Sequence, residues 1–151
     1  MIGHLQSNKI NKAIALFDVI QTVDSVSLAK KISTACKKNN KTQRIYIQIN
    51  SGNDPMKHGF HSDEAVDVTQ EINNLSNLSI EGVMMIPPLL DINDEYRYFF
   101  TKTKKIQLAI LKSGITSCIN LSMGMSRDYK IAIEEGATHI RIGTALFGER
   151  I

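Results

Sequence analysis

The sequence is poor in the residue types that mark several classes of protein. Its 151 residues include no tryptophan, three prolines and two cysteines, and aromatic residues make up 6%. Cys36 and Cys118 are too few for a disulfide framework and lack the spacing of metal ligands, so we expect two buried free thiols. No apolar run approaches the roughly 18 residues of a membrane-spanning helix, and no membrane partner is therefore predicted.

Strong charge of one sign is also missing. The formal net charge is +3, and the lysines are scattered along predicted helices instead of forming one basic patch with interleaved aromatics. This distribution predicts no nucleic-acid partner. The first residues lack the basic and apolar regions of a signal peptide, so we expect a cytoplasmic protein. No group of histidines, cysteines and carboxylates has ligand spacing, so we predict no metal site and treat His58, His61 and His139 as structural.

Strand and helix patterns alternate along the chain. Strands are predicted at residues 1–5, 17–23, 44–50, 79–86 and 138–142, and in the run 121–126, which breaks into small residues. Ser7, Ser25 and Ser126 are predicted helix caps, further helix patterns start near Ser62 and Asn93, and Gly114 and Gly136 are predicted helix stops. Helical spacing places Leu28, Ala29, Ile32, Ala35 and Cys36 on the buried face of the helix after Ser25, and Tyr129, Ala132 and Ile133 on the apolar face of the helix after Ser126. This alternation predicts an α/β fold with a parallel sheet and right-handed crossovers. A doubly wound sheet and a (β/α) barrel both satisfy it.

The last two predicted strands each end in small residues. Ser126 follows one strand and is expected to cap the next helix, and Gly143 and Thr144 follow the other. Free backbone N–H groups and hydroxyls at a helix start suit a phosphate, which also favours the positive end of the helix dipole. Arg141 adds a planar, fixed cation. From these residues alone, a phosphate cradle and an ordinary pair of strand–loop–helix junctions both remain open.

The position of these residues favours the barrel over the doubly wound sheet. No Gly-x-Gly-x-x-Gly pattern follows the first predicted strand, whereas phosphate sites after the last strands are typical of (β/α)8 barrels. A complete barrel usually needs about 200 residues or more. We therefore expect residues 1–151 to form a single partial TIM-type barrel domain, with about six of eight strands and without the first strand–helix units.

Five ordered motifs span essentially the whole chain. They are IGHLQSNK at 2–9, VDS at 23–25, QIN at 48–50 with KHGF at 57–60, EGVMMIP at 81–87, and LSMGMS at 121–126 with RIGTALFG at 141–148. Together they resemble the motifs of the pyridoxal phosphate homeostasis proteins, whose barrel is similar to the N-terminal domain of alanine racemase. An order of five motifs is much more specific than a lone glycine signature.

The resemblance implies a protein that binds pyridoxal 5′-phosphate at the carboxyl ends of the strands and buffers or delivers it, without established catalytic turnover. It implies that Ser126, Gly143 and Thr144 hold the phosphate, with Met125 beside it, and that Arg141 lies near the pyridine nitrogen. By the same resemblance, His4, Asn8 and Asn50 line the pocket and Met84 lies on the strand wall. These nine residues are the predicted cofactor site.

One departure from the family pattern affects the predicted function. The family holds the cofactor as a Schiff base on a lysine of the first barrel strand, and the match begins about two strand–helix units later. Lys9 and Lys57 match other family lysines. We therefore expect non-covalent binding at most and an impaired function. Open sheet edges would also expose apolar surface, so we expect a marginally stable chain that self-associates or pairs with a separately encoded N-terminal segment.

Two alternatives to the homeostasis function stay open. A pyridoxal-phosphate-dependent, racemase-like enzyme would need an aldimine lysine and an acid–base pair, and neither stands in a matching position. We therefore predict no catalytic residue and no enzymatic activity. The second alternative is an inactive product of a split or decayed gene.

Overall fold

A computed structural model describes residues 1–52, 54–90 and 93–148. The strands are β1 (Val19–Val23), β2 (Gln43–Asn50), β3 (Phe60–His61), β4 (Leu78–Met85), β5 (Asn120–Met125) and β6 (His139–Arg141). The α-helices are α1 (Ile10–Leu16), α2 (Val26–Lys38), α3 (Ala65–Asn73), α4 (Asn93–Lys112), α5 (Tyr129–Glu134) and α6 (Thr144–Phe147), and a 3-10 turn, Ser7–Lys9, precedes α1. The predicted alternation of strands and helices is confirmed.

The strands form one parallel sheet in the order β1-β2-β4-β5-β6, with the short β3 paired to the end of β2. Strand order that follows the chain without reversal lacks the switch point of a doubly wound sheet. The sheet is also curled, and the curl brings two strands that are not neighbours into contact. The Ser122 hydroxyl of β5 donates to Gln21 Oε1 of β1 at 2.6 Å. The fold is a partial (β/α) barrel, as predicted.

Helix α2 illustrates how local sequence sets the packing. Its N-cap Ser25 accepts a hydrogen bond from the Leu28 N–H at 3.2 Å, as its predicted capping role requires. Leu28, Ala29 and Ile32 then lie on the buried face that covers the sheet. Strand β2 beneath it is buried on both faces, which is why its apolar residues run nearly without interruption.

The two glycines predicted to end helices do so. Gly114 follows α4 with φ +104°, and Gly136 follows α5 with φ +94°. These left-handed conformations are readily available to glycine, because it lacks a Cβ, and they stop the helix at that point. The C-terminal ends of α4 and α5 were therefore readable from sequence.

The predicted strand at residues 1–5 is wrong. Only Met1 pairs with β1: its ammonium donates to the Val19 carbonyl at 2.6 Å, and its carbonyl accepts from the Gln21 N–H at 2.9 Å. The Gly3 carbonyl accepts from the side-chain hydroxyl of Thr22 and not from a backbone N–H of β1. Strand β3 was not predicted; it lies between the strand predicted at 44–50 and the helix predicted to start near Ser62. Six strands were expected and the described residues form six, but they are not the same six.

Two predictions about helix ends and faces are also wrong. Ser7 is inside the 3-10 turn, and its hydroxyl accepts from Lys31 Nζ at 3.0 Å instead of capping a backbone N–H. On α5, Ala132 is buried as expected, but Ile133 is 53% exposed. Helix α5 packs against the outermost strands β5 and β6, so only part of its apolar surface is covered.

Large apolar side chains are exposed at both ends of the strand order. They are Ile140, Leu146 and Phe147 at β6 and α6, and Leu16 and Phe17 just before β1. None of the described helices combines the length and the apolar character needed to cross a lipid bilayer.

Candidate functional site

A cleft of about 810 Å³ opens at the carboxyl ends of β4, β5 and β6. Its walls come mainly from the loops that follow these three strands, with Lys57 added by the loop after β2 and Tyr96 by α4. The lining residues are Lys57, Ile86 to Leu89, Tyr96, Met125 to Asp128, Gly143, Thr144, Phe147 and Gly148. The volume is typical of a site for a small molecule or cofactor. Four of the predicted site residues, Met125, Ser126, Gly143 and Thr144, line this cleft.

Ser126 joins the two loops that form the floor of the cleft. Its Oγ accepts hydrogen bonds from the N–H groups of Gly143 at 3.3 Å and Ala145 at 3.2 Å, at the first turn of α6. The predicted capping role is therefore wrong. Helix α5 begins only at Tyr129, and the Asp128 carboxylate accepts from the Met125 N–H in the intervening turn. A Ser126 hydroxyl that accepts twice keeps its own hydrogen to donate to a ligand.

Gly124 fixes the conformation of the turn that carries Ser126. Its φ is +92°, and a Cβ at this position would lie 2.5 Å from the Ala132 Cβ on α5 and 3.1 Å from the Tyr129 Cα. Both the backbone conformation and the close approach of α5 therefore require glycine. Tight packing of β5 against α5 is what brings Ser126 next to α6.

Arg141 ends β6 and points its guanidinium into the curled sheet. Nη1 donates to the Ser122 hydroxyl at 2.9 Å, and Nη2 donates to the Met85 carbonyl at 2.7 Å. Burial lowers the pKa of Arg141 to about 10, and the nearby Asp128 carboxylate raises the same pKa in part. The side chain is therefore a cation at neutral pH, held in one orientation by two acceptors.

Ser122 and Gln21 extend this contact across the sheet interior. Ser122 is completely buried, accepts from Arg141 and donates to Gln21, so a continuous chain of hydrogen bonds links β6, β5 and β1. Neither Ser122 nor Gln21 is a predicted site residue. The inward direction of alternate residues on β5 could have pointed to Ser122, but no local signal identifies Gln21 as its partner.

Arg141 and the other four predicted site residues are not among the residues that line the cleft. Met84 is fully buried in β4, and Asn8 is exposed in the 3-10 turn. The Asn50 amide donates to the Asp54 carbonyl at 2.7 Å and thereby holds the loop that follows β2. His4 contacts Asp24 at 3.1 Å. Their roles toward a cofactor stay predictions.

Lys57 comes from the loop after β2 and reaches the cleft. Its Nζ donates to the Pro87 carbonyl at 2.7 Å, so the ammonium is held beside the loop that follows β4. The motif at 57–60 includes Lys57, but the position of its side chain was not predictable, because loop length alone does not reveal where a loop folds back.

A second group of side chains with potential ligand atoms lies outside the lining of this cleft. His4, Asp24 and His58 bring one potential metal-ligand atom each to within 4.8 Å of the others. The sequence spacing that predicted no metal site could not reveal them, because they are brought together by the fold from three separate segments.

Comparison with known proteins identifies the family. The sequence model of the alanine racemase N-terminal domain matches residues 1–151, so this chain belongs to that family. Curated relatives carry the name pyridoxal phosphate homeostasis protein. The one from Aquifex aeolicus is 36% identical over 149 residues, covering 99% of this chain and 65% of the relative. The one from Synechocystis is 38% identical over 150 residues, covering 99% and 69%. The predicted family resemblance is confirmed.

Solved structures agree with this assignment. PipY of Synechococcus elongatus, solved with pyridoxal phosphate bound, superposes with a TM-score of 0.90 at 32% identity, covering 98% of this chain and 69% of PipY. Alanine racemase of Clostridium difficile superposes with a TM-score of 0.78 at 21% identity, covering 98% and 40%, a likeness of fold alone. The chain spans 65% and 69% of the length of the two curated relatives.

Proposed function

We propose that this chain binds pyridoxal 5′-phosphate non-covalently in the described cleft and acts in buffering or delivering the cofactor. The observation that carries the proposal is the contact of the Ser126 hydroxyl with the Gly143 and Ala145 N–H groups at the start of α6. The family assignment and the bound cofactor of PipY support the same ligand.

The donor set at the floor of the cleft suits a phosphate. The Ser126 hydroxyl has a hydrogen to donate, and the Thr144 N–H belongs to the first turn of α6, where N–H groups have no acceptor within the helix. The Thr144 hydroxyl adds another donor. A Cβ built on Gly143 would meet nothing within 4 Å, so the backbone is open to close approach. The phosphate role of Ser126, Gly143 and Thr144 is part of this proposal.

Arg141 determines the electronic character that the site would give to a cofactor ring. The pyridine ring of bound pyridoxal phosphate supplies an electron sink for amino-acid chemistry. A guanidinium that stays protonated up to pH about 10 donates hydrogen bonds and does not give up its proton to a neighbouring nitrogen. A ring nitrogen facing Arg141 would stay unprotonated, which weakens the electron sink. Arg141 therefore favours storage over amino-acid catalysis.

Exposed apolar side chains like those at both ends of the strand order are typical of surfaces that a partner buries. We propose that residues 1–151 form a single partial barrel domain whose edges are covered by a second copy or by a separately encoded N-terminal segment. Ile140, Leu146 and Phe147 at one edge support this proposal. Light scattering on the purified chain at several concentrations tests it: a mass that rises above 16.9 kDa supports self-association, and a stable monomer supports a separate partner.

Two ligands that differ only in the phosphate test the cofactor site. Pyridoxine 5′-phosphate and pyridoxine both lack the aldehyde, so neither forms imines with surface lysines. We expect saturable 1:1 binding of pyridoxine 5′-phosphate in equilibrium dialysis. Ser126→Ala removes one hydrogen bond to a charged group and should weaken it by about 10-fold or more, while leaving pyridoxine binding unchanged. The control Ser113→Ala alters a hydroxyl that contacts only its own helix, at the Ile110 carbonyl.

Absence of saturable binding by pyridoxine 5′-phosphate would contradict the proposal. Equal effects of Ser126→Ala on both ligands would contradict the phosphate role of that residue. Borohydride reduction with pyridoxal 5′-phosphate and peptide mapping then tests the non-covalent mode. Uniform, weak labelling of surface lysines is expected, whereas a single trapped lysine, with Lys57 in the cleft as the obvious site, would show covalent binding and reopen the racemase-like alternative.

A further inference from the structure

Three side chains meet at the carboxyl-end rim of β1 and β2. His4 follows the segment that pairs with β1, Asp24 comes directly after β1, and His58 lies in the loop between β2 and β3. The Nδ1 atoms of His4 and His58 lie 3.1 Å and 3.4 Å from the same oxygen, Asp24 Oδ2. The Asp24 side chain is 9% exposed, whereas the two imidazoles are 45% and 60% exposed.

We propose that His4, Asp24 and His58 form a binding site for Zn²⁺ or a similar divalent transition metal. Zinc binds imidazole nitrogen and carboxylate oxygen at about 2.0–2.1 Å in a tetrahedron, whose neighbouring ligand atoms are therefore about 3.3 Å apart. The two nitrogen–oxygen distances of 3.1 Å and 3.4 Å lie on either side of that value. Two imidazoles and one carboxylate favour zinc over Mg²⁺ or Ca²⁺, which prefer oxygen ligands.

The carboxylate is largely shielded from solvent, and the imidazoles are exposed enough to turn and complete the site. The two rings lie face to face, with centroids 3.9 Å apart and planes inclined by 14°. Since a nitrogen lone pair lies in the plane of its ring, each ring has to turn about its Cβ–Cγ bond for both lone pairs to converge on one ion. Their exposure leaves room for this rotation, and water would take the fourth ligand position.

Of the two imidazoles, His4 forms a hydrogen bond with the Asp24 carboxylate and His58 lies farther away. The His4 contact at 3.1 Å is a hydrogen bond, and His58 approaches the same oxygen at the longer distance of 3.4 Å. A bound ion would connect the segment around residue 4 with the end of β1 and the loop after β2. That loop also carries Lys57, so the metal would hold it beside the cleft. The zinc proposal rests on the geometry of this cluster and not on the proposed cofactor function.

A competition titration with a chromophoric chelator, on the untagged and metal-depleted chain, tests the site. We expect one Zn²⁺ per chain, and Co²⁺ as a substitute should give the visible absorption of a four-coordinate ion. His58→Ala removes an exposed ligand at little risk to the fold and should weaken zinc binding by about 10-fold or more. Asp24→Asn should weaken it as well.

His61→Ala is the matched control. His61 is a half-exposed histidine near a carboxylate, with Nδ1 3.3 Å from Asp63 Oδ2, but it lies outside the three-residue cluster. Its replacement should leave zinc affinity unchanged. Zinc binding too weak to compete with the chelator, unchanged affinity in His58→Ala, or an equal loss in His61→Ala would each overturn the proposal.

Discussion

Ser122→Ala tests whether the hydrogen-bond chain across the sheet interior holds the curled sheet together. The substitution deletes a fully buried hydroxyl that accepts from Arg141 at 2.9 Å and donates to Gln21 at 2.6 Å. Alanine fits the same space, so no steric strain is introduced. The cost arises from the Arg141 and Gln21 polar atoms, each of which loses one partner.

The expected loss of stability follows from the two bonds. A hydrogen bond from a charged donor contributes about 1.5–3 kcal/mol and a neutral one about 0.5–1.5 kcal/mol. Ser122→Ala should therefore lower the free energy of unfolding by about 2–4 kcal/mol, a large share of the roughly 5–15 kcal/mol of an average domain. Ser113→Ala, whose hydroxyl bonds within its own helix end, should change the free energy by less than about 0.5 kcal/mol.

Urea unfolding followed by far-UV circular dichroism measures both variants. A lower midpoint with an unchanged m-value is the expected result for Ser122→Ala, because the same surface is exposed on unfolding. A loss of stability as small as that of Ser113→Ala would refute the reasoning. It would mean that water replaces the hydroxyl at no cost and that the chain from Arg141 to Gln21 is incidental.

Two further predictions concern the packing of β5 and the buried thiol at its start. Gly124→Ala places a Cβ 2.5 Å from the Ala132 Cβ at a backbone φ of +92°, so urea unfolding should show that the free energy of unfolding falls by about 2–4 kcal/mol. Gly3→Ala, which has open space around the new Cβ, should change the free energy of unfolding by less than about 0.5 kcal/mol. Burial raises the pKa of Cys118 from 9.0 to about 12. The unfolded chain therefore ionises this thiol first, and the stability it contributes is complete below pH 9 and is lost as pH rises toward 12. Cys118→Ala should lessen the alkaline slope of stability by up to about 1.4 kcal/mol per pH unit, and an unchanged slope would contradict the assigned burial effect.

Local periodicity was enough to predict the buried face of α2. Leu28, Ala29 and Ile32 were identified by helical spacing, and the N-cap Ser25 by its residue type, because both signals act within one or two turns. Sequence order together with the late position of the small residues also selected the barrel over the doubly wound sheet. The ordered motifs identified the family.

The wrong predictions concern residues that bind partners far away in the sequence instead of the local partners that their residue type favours. Ser126 has the residue type of a helix cap, but it accepts from N–H groups 17 and 19 residues away, and α5 starts later at Tyr129. Residues 1–5 read as a strand, yet the Gly3 carbonyl is bound by the Thr22 side chain. In each case a tertiary contact outweighed the local propensity.

The long-range contacts of the interior carried no local signal. Gln21 and Ser122 are 101 residues apart, and the cluster of His4, Asp24 and His58 joins three separate segments. Their meeting follows from the register and curl of the sheet, which neither residue spacing nor composition specifies.

The most direct test of the central claim is a ¹⁵N–¹H NMR titration of the labelled chain with pyridoxine 5′-phosphate. We expect saturable shifts of the Gly143, Thr144 and Ala145 amide signals, because the Gly143 and Ala145 N–H groups donate to the Ser126 hydroxyl at the floor of the cleft and Thr144 lies between them in the chain. The same titration with pyridoxine should leave these three signals in place. Saturable shifts confined to another surface, or no saturable shift at all, would contradict the account.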